Sequence, residues 1–357
     1  MRNFRNIFCL ACLTIMIVFS GKIFAQDGTS AMNYSVPLML NPGLTGAFDG
    51  DYRAGLSYRN EWAHIDADFS TACLMLEKNF NKRKDNTNSL GLLVFQDNAG
   101  GFYTTHASLS YSHEVVLSQK RVTNAIRGGF MAGVTNRRFD IKDFTFEEQF
   151  TGSGFSNSSA NGEVLASQSR TLPAFQAGFV YYQKYAISDA PKLVPFGGVS
   201  VQNTIKLNTS FYSDGFQEQT TRFIAHGGAL INATNELKLY PGIMMLNQNY
   251  DFLISGSLMA KYGFGKAEEE EKAVLAGATY RAGSGMSFAI GFQWSDFIAG
   301  AAYDISTSGI SGSTTMYEAY EISLRYIIRN KKEAAARYDG TAASDGLSTG
   351  LFPFSPL

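Results

Sequence analysis

An alternation of apolar and polar side chains recurs along this chain and limits what it can fold into. Tyr103, Thr105, Ala107, Leu109 and Tyr111 share one parity, while Thr104, His106, Ser108, Ser110, Ser112 and Glu114 share the other. Successive side chains of an extended strand point to opposite faces, so such a segment has one oily and one wet face. Phe252, Ile254, Gly256, Leu258, Ala260 and Tyr262 oppose Ser255, Ser257 and Lys261 in the same way. Tyr320, Ile322, Leu324, Tyr326 and Ile328 oppose Glu321, Ser323, Arg325 and Arg329. Each run is about as long as a tilted membrane-crossing strand, roughly 9–11 residues. Each also carries an aromatic residue at an end of its apolar parity, where a lipid-interface girdle belongs. A soluble sandwich alternates too, so the rest of the chain decides.

The N-terminus points to export. Arg2 and Arg5 precede the apolar run Ile7–Phe19, and Ile23-Phe24-Ala25 offers a small residue ahead of Gln26. That is the layout of a cleaved signal peptide over residues 1–25, and the run is short for a membrane-anchoring helix. Cys9 and Cys12 leave with it, and further apolar residues after Cys12 argue against a lipoprotein. Only Cys73 remains, so the mature chain has neither an internal disulfide nor a cysteine metal site.

No apolar run after residue 25 is long enough for a membrane helix. A membrane protein without such helices must close a sheet, because lipid satisfies no backbone hydrogen bond at an open edge. Charged residues are 17%, below the quarter or so typical of soluble domains, and glycine is abundant at 35. A net charge of -1 argues against nucleic acid, which demands a basic face.

Strands are expected near 52–58, 69–76, 90–96, 103–115, 125–135, 173–185, 194–203, 222–231, 236–246, 252–262, 272–281, 286–293, 297–305 and 319–328. That makes about fourteen, an even number, as in bacterial single-chain barrels. The expected fold is an all-β transmembrane antiparallel barrel over 52–328. It follows an N-terminal periplasmic segment at 26–51 and precedes a flexible periplasmic tail at 329–357. The long connections Asn136–Leu172, Thr204–Thr221 and Ser306–Glu318 all follow odd-numbered strands, while Asn232–Asn235 and Ser295–Asp296 follow even ones. Long loops outside and short turns inside is the asymmetry of outer-membrane barrels. Glu77–Ser89, basic and long for a periplasmic turn, breaks the pattern.

Catalytic and metal motifs are lacking. There is no Gly-x-Ser-x-Gly elbow, His-Glu-x-x-His pair or phosphate-cradling glycine loop. His106 and His113 sit an odd number of residues apart and face opposite sides. His64, Asp66 and Asp68 offer two carboxylates where calcium takes six or more oxygens, so an exposed polar loop is expected there. Glu268–Glu271 reads as a solvated turn. Thr151–Asn161 is rich in turn formers and poor in apolar residues, the mark of a solvated outer loop or a partner-binding lid. Neither catalysis nor a cofactor or metal is expected.

Five elements in order give a resemblance. The opening Tyr34-Ser35-Val36-Pro37-Leu38-Met39-Leu40-Asn41-Pro42-Gly43-Leu44-Thr45-Gly46 resembles that of the PorP/SprF family of Bacteroidota outer-membrane proteins, with its Asn-Pro-Ala-x-x-Gly element. Tyr58-Arg59-Asn60-Glu61-Trp62 is similar to its Arg-x-Gln-Trp element, and Leu90–Gly100 to its strand ending in Asp-x-x-Gly, here Asp97 and Gly100. Ala302-Tyr303-Asp304-Ile305-Ser306-Thr307-Ser308 resembles its Tyr-Asp-x-Ser/Thr-x-Ser signature, and Tyr320-Glu321-Ile322-Ser323-Leu324 its closing strand. Gly43 stands where the family usually has Ala, Glu61 where it commonly has Gln, and the tail after Asn330 is additional.

The resemblance implies a non-catalytic barrel of the type IX secretion and gliding-motility machinery in the cell outer membrane. It would help secrete or anchor cargo such as a cell-surface adhesin with a C-terminal sorting domain. A periplasmic peptidoglycan-binding subunit and outer-membrane lipid are its other implied partners. Asn41, Pro42, Gly43, Gly46, Arg59, Trp62, Asp97, Gly100, Tyr303, Asp304, Ser308 and Glu321 are its motif residues, structural or partner-contacting. Read bottom-up, Asn41-Pro42 begins a turn that tucks the leading segment against the barrel, and Trp62 anchors at the lipid interface. Asp304 points into the lumen toward Arg or Lys of neighbouring strands. The alternatives are a porin-like solute channel with an open lumen and a membrane-embedded lipase.

Overall fold

The structure, a computed structural model, describes residue 32 and residues 35–329. Excepted are 63–68, 81–85, 120–121, 142–143, 157–158, 160–161, 164–166, 186–191, 214, 250, 265–271 and 307–317. The signal peptide, His64, Asp66, Asp68, Glu268–Glu271, Ser308 and the tail from Asn330 lie outside the described residues. Among those described, no helix is long and apolar enough to cross a membrane.

Fourteen antiparallel strands form one closed barrel in chain order. They are β1 Tyr52–Glu61, β2 Phe69–Phe80, β3 Asn86–Ala99, β4 Phe102–Gln119, β5 Val122–Phe139, β6 Ser169–Tyr185 and β7 Leu193–Gln202. Then come β8 Arg222–Asn232, β9 Leu237–Gln248, β10 Asp251–Phe264, β11 Lys272–Arg281, β12 Gly285–Trp294, β13 Phe297–Ser306 and β14 Glu318–Ile328. β1 meets β14 in continuous register from Tyr52↔Ile328 to Glu61↔Ala319, so the sheet has no free edge.

Parity decides what each strand shows. On β14, Tyr320, Ile322, Leu324, Tyr326 and Ile328 are exposed, whereas Glu321, Ser323 and Arg325 are buried toward the lumen. On β4, Leu109 and Tyr111 face out while His106, Ser108, Ser110, Ser112 and Glu114 are buried. Exposed aromatics gather at both rims: Tyr58, Phe223, Phe252, Tyr280, Tyr303 and Tyr320 on one, Tyr52, Tyr262, Phe264, Trp294, Phe297 and Tyr326 on the other. These are the girdles of a lipid-spanning barrel. Lys78 lies over the Tyr52 and Phe80 rings and Lys272 over Trp294, holding ammonium groups at the second rim.

The connections follow from local chemistry. Gly100 and Gly101 both take positive φ (61° and 95°) in the two-residue β3–β4 turn, the conformation that matches strand twist. The long connections follow β5, β7 and β13. The anomalous Glu77–Ser89 connection shrinks to 81–85, because β2 runs on to Phe80 and β3 starts at Asn86. β4, β5 and β6 also exceed their expected spans, to 18, 18 and 17 residues. Ladder hydrogen bonds hold a strand beyond the lipid band, where the oily parity that marks it in sequence has faded.

The exposed side chain of Ile290 sits halfway along β12. Ile290→Arg should cost about 2–4 kcal/mol in urea refolding into lipid vesicles, and Tyr58→Arg at the rim about 0–1 kcal/mol. Equal costs at both positions would contradict the membrane placement.

Candidate functional site in the filled lumen

The segment expected to tuck against the barrel at its periplasmic end lies inside it. Its local form follows from its two prolines. Pro37 opens the one-turn helix α1 (Pro37–Leu40), and Pro42 opens a 3-10 turn at Pro42–Leu44, positions where a missing N–H costs nothing. Between them Asn41 is extended and caps the second turn, its side-chain oxygen accepting from Gly43 N at 2.8 Å. The segment then fills the lumen: Leu38, Asn41 and Thr45 are fully buried and Leu44 is nearly so. Val36 and Leu38 join Cys73, Met75, Leu93 and Met131, while Leu40 and Leu44 join Ala125, Val180, Tyr182 and Phe196.

Wall and plug exchange hydrogen bonds around the circumference. Asn41 Nδ2 donates to the carbonyls of Phe179 (3.2 Å) and Val199 (3.1 Å) and lies 3.1 Å from His226 Nε2. Ser200 Oγ and Gln202 Nε2 donate to the carbonyls of Leu40 and Met39 at 2.7 and 2.8 Å. Two glycines make the approach possible. A Cβ on Gly129 would overlap the carbonyl of Pro42, and one on Gly178 would overlap the side-chain oxygen of Asn41. Gly46 turns the chain out at φ +73°, where a Cβ would also strike Ser89 and Asn79.

Among the described residues, three buried ion clusters line the lumen. In the first, Glu114 pairs with Lys184 (2.6 Å) and Arg127 (3.1 Å) and accepts from the Tyr182 hydroxyl. Arg127 Nη1 reaches on to the carbonyl of Thr45 (2.8 Å) and to the hydroxyls of Ser89 and Ser112 (2.7 and 3.1 Å). In the second, Glu77 pairs with Arg53 at 2.5 Å and accepts from Gly46 N at 2.8 Å, while Arg53 covers the Phe48 ring. Both clusters therefore grip the plug by its backbone. In the third, Asp304 Oδ2 accepts from Arg59 and Arg281, each at 2.6 Å, and Arg59 also lies 3.6 Å from Glu321. The partners of Asp304 come from β1 and β11, each two strands away, because its direct neighbours are Ala319 and Ser287.

The motif residues thus divide by place. Asn41, Pro42, Gly43 and Gly46 form the plug, and Arg59, Asp304 and Glu321 converge in the third cluster. Asp97 accepts from Thr71 at 2.6 Å, and Gly100 makes the hairpin tip beside it. Tyr303 faces outward in the girdle, and Trp62 packs edge-on against Phe69 at 4.5 Å. Sequence reasoning missed Arg53, Glu77, Glu114, Arg127, Tyr182, Lys184 and Arg281. A charge on the polar parity of a predicted strand was the available signal, clearest for Arg127 in Ala125-Ile126-Arg127-Gly128.

Asp304→Asn removes the carboxylate shared by Arg59 and Arg281, leaving Arg59 with Glu61 at 2.7 Å and Glu321 at 3.6 Å. It should lower stability by about 3–5 kcal/mol in urea titration of the micelle-bound barrel. A change below 1 kcal/mol would mean that water already screens the cluster.

A search of curated proteins finds no match. Among solved structures, the CymD monoaromatic hydrocarbon channel aligns with TM-score 0.45 at 13% identity, covering 86% of this chain and 95% of its own. The Ralstonia pickettii toluene transporter TbuX gives 0.45 at 9% identity, covering 86% and 100%. The P. putida toluene transporter TodX gives 0.44 at 11% identity, with the same coverage. Likeness at this level says nothing of what this chain carries. Residues 24–326 match the family described as type IX secretion system membrane protein PorP/SprF. This closed outer-membrane β-barrel, filled by its own leading segment, belongs to the PorP/SprF family of type IX secretion system membrane proteins.

Proposed function

We propose that this protein is a non-catalytic outer-membrane partner of the type IX machinery that helps secrete or anchor a surface protein on its outer loops. The cargo class is an adhesin with a C-terminal sorting domain, as in gliding motility. A periplasmic peptidoglycan-binding subunit would engage the short-turn end. The observation that carries this reading is the lumen occupied by residues 35–48, an arrangement suited to a docking platform and opposed to a solute channel.

The outer mouth supports the same reading. Phe139 contacts Phe102, Phe144 and Phe211 with ring centroids 5.4, 5.9 and 4.8 Å away, joining the β5–β6 loop to the β7–β8 loop. Beyond this knot, Phe150 and Phe155 pair at 5.3 Å across a small turn closed by Thr151 and Gly154. Both rings are more than half exposed, as is Phe216 on the neighbouring loop. Exposed aromatics on a held loop are the residues that dominate protein interfaces.

Deleting 150–167 spares Gln168, whose carbonyl and side chain tie down Phe139 and Ile141. The deleted barrel should insert and remain heat-modifiable while surface cargo on whole cells is lost. Normal cargo retention by that variant would refute the loop assignment. Intact protein should not conduct ions in planar bilayers, and removal of 35–48 should open steps of conductance. Steady conductance by the intact barrel would favour the channel instead.

A further inference from the structure

On the long-loop side of the plug the lumen keeps a cavity of about 110 Å³. An apolar patch of Met39, Leu93 and Phe95 lines one part of it. Asp97 on β3, Arg137 on β5, Gln176 on β6 and Arg222 on β8 also line it, placing both signs of charge around one small space. Gln176 is more than nine-tenths buried, yet its Oε1 accepts no hydrogen bond from the protein. An acceptor on a cavity wall with no donor in the protein favours a ligand that donates there, by roughly the 1–3 kcal/mol that an unmet buried acceptor costs.

We propose that this cavity binds a small zwitterion, an α-amino acid or a short peptide of amino acids with small side chains. The carboxylate would accept from the guanidinium groups of Arg137 and Arg222, which supply fixed, planar donor sets. The ammonium would donate to Gln176 Oε1 and to the Asp97 carboxylate. A short aliphatic side chain would rest on Met39, Leu93 and Phe95, and the volume excludes large ones. A simple anion would leave Asp97 and the Gln176 oxygen facing negative charge, and a simple cation would meet two arginines. Only a ligand with both charges suits every wall. The inference is independent of cargo docking, because no residue used here lies in the 150–167 loop.

The test is calorimetric titration of the full-length protein in detergent with L-alanine and L-alanyl-L-alanine. Propionate and ethylamine serve as probes that each lack one charge. Saturable binding of alanine or the dipeptide is expected with a Kd of about 1 mM or tighter. Propionate and ethylamine should bind at least about tenfold more weakly, each having lost a charge-assisted contact. Gln176→Leu and, as a second variant, Asp97→Asn should weaken the zwitterion about tenfold while leaving the barrel heat-modifiable and propionate binding equal or tighter. Tighter binding of the dipeptide would identify a peptide end as the ligand, and tighter binding of alanine the free amino acid. Absence of saturable heat for both, propionate binding equal to that of alanine, or full binding by both variants would overturn the proposal.

Discussion

The structure depends on one seam. A run of fourteen strands has two ends, and in lipid an unpaired strand edge would leave a row of amides with no hydrogen-bond partner. β1 and β14 meet along ten residue pairs, and Asp51 N extends the pairing to the Ile328 carbonyl. The third ion cluster sits on the lumen side of this seam. Arg59 lies opposite Glu321 across it, and Ser57 donates to Glu321 at 3.2 Å. A one-residue slip would turn each strand over and put those charges into lipid. The cluster lies beside the rim residues Tyr58, Tyr303 and Tyr320, where each misplaced charge costs roughly 0–1 kcal/mol, so it fixes the register together with the apolar residues of the seam that a slip would turn into the lumen. Such a cluster need not add net stability to the barrel. Its effect is to make every other closure worse.

Closure by fourteen strands creates the second problem. Eight strands enclose a space that wall side chains fill, while sixteen or more leave a channel. Here the chain fills the difference with its own residues 35–48, and the wall is shaped to admit them. Gly129 lets the plug backbone lie against β5 and Gly178 admits the Asn41 side chain against β6, while Arg127 and Glu77 bring charge to the Thr45 carbonyl and the Gly46 amide. Small wall residues that admit the plug and long charged ones that bond its backbone, Gly129 and Arg127 both on β5, give the plug a single seating.

The barrel was legible from local chemistry because lipid imposes a period-two pattern on each strand separately. Tyr320 to Ile328 displays its outward face in sequence, and so does Tyr103 to Tyr111. What lay hidden depends on pairs distant in the chain. Nothing near Asn41 signals that it will meet Phe179, Val199 and His226, and its Asn-Pro pair reads as an ordinary turn. Arg127 was visible as an isolated charge, but its partner Glu114 comes from β4 and is shared with Lys184 from β6, and register alone brings the three together. Asp304 was correctly expected in the lumen. The reach of its partners was not apparent, because an arginine side chain spans the intervening strand.

The division of labour between polar and apolar contacts decides how firmly the plug is held. Withdrawing it into an aqueous lumen would return Thr45, Gly46, Glu77 and Arg127 to water, so the two charge-assisted bonds at Thr45 and Gly46 contribute about 1.5–3 kcal/mol each. The buried leucines have no such replacement. Leu38, Leu40 and Leu44 would each forfeit roughly 1.5–3 kcal/mol of burial. Apolar area and these two bonds together set how tightly the segment is retained, and the ion clusters also set where it comes to rest. The segment is covalently continuous with β1 through only Asp49–Asp51 beyond its last buried aromatic, Phe48, so its concentration at the site is set by a short tether. A segment so tethered and so buried is better described as part of the core of the barrel than as a removable cork.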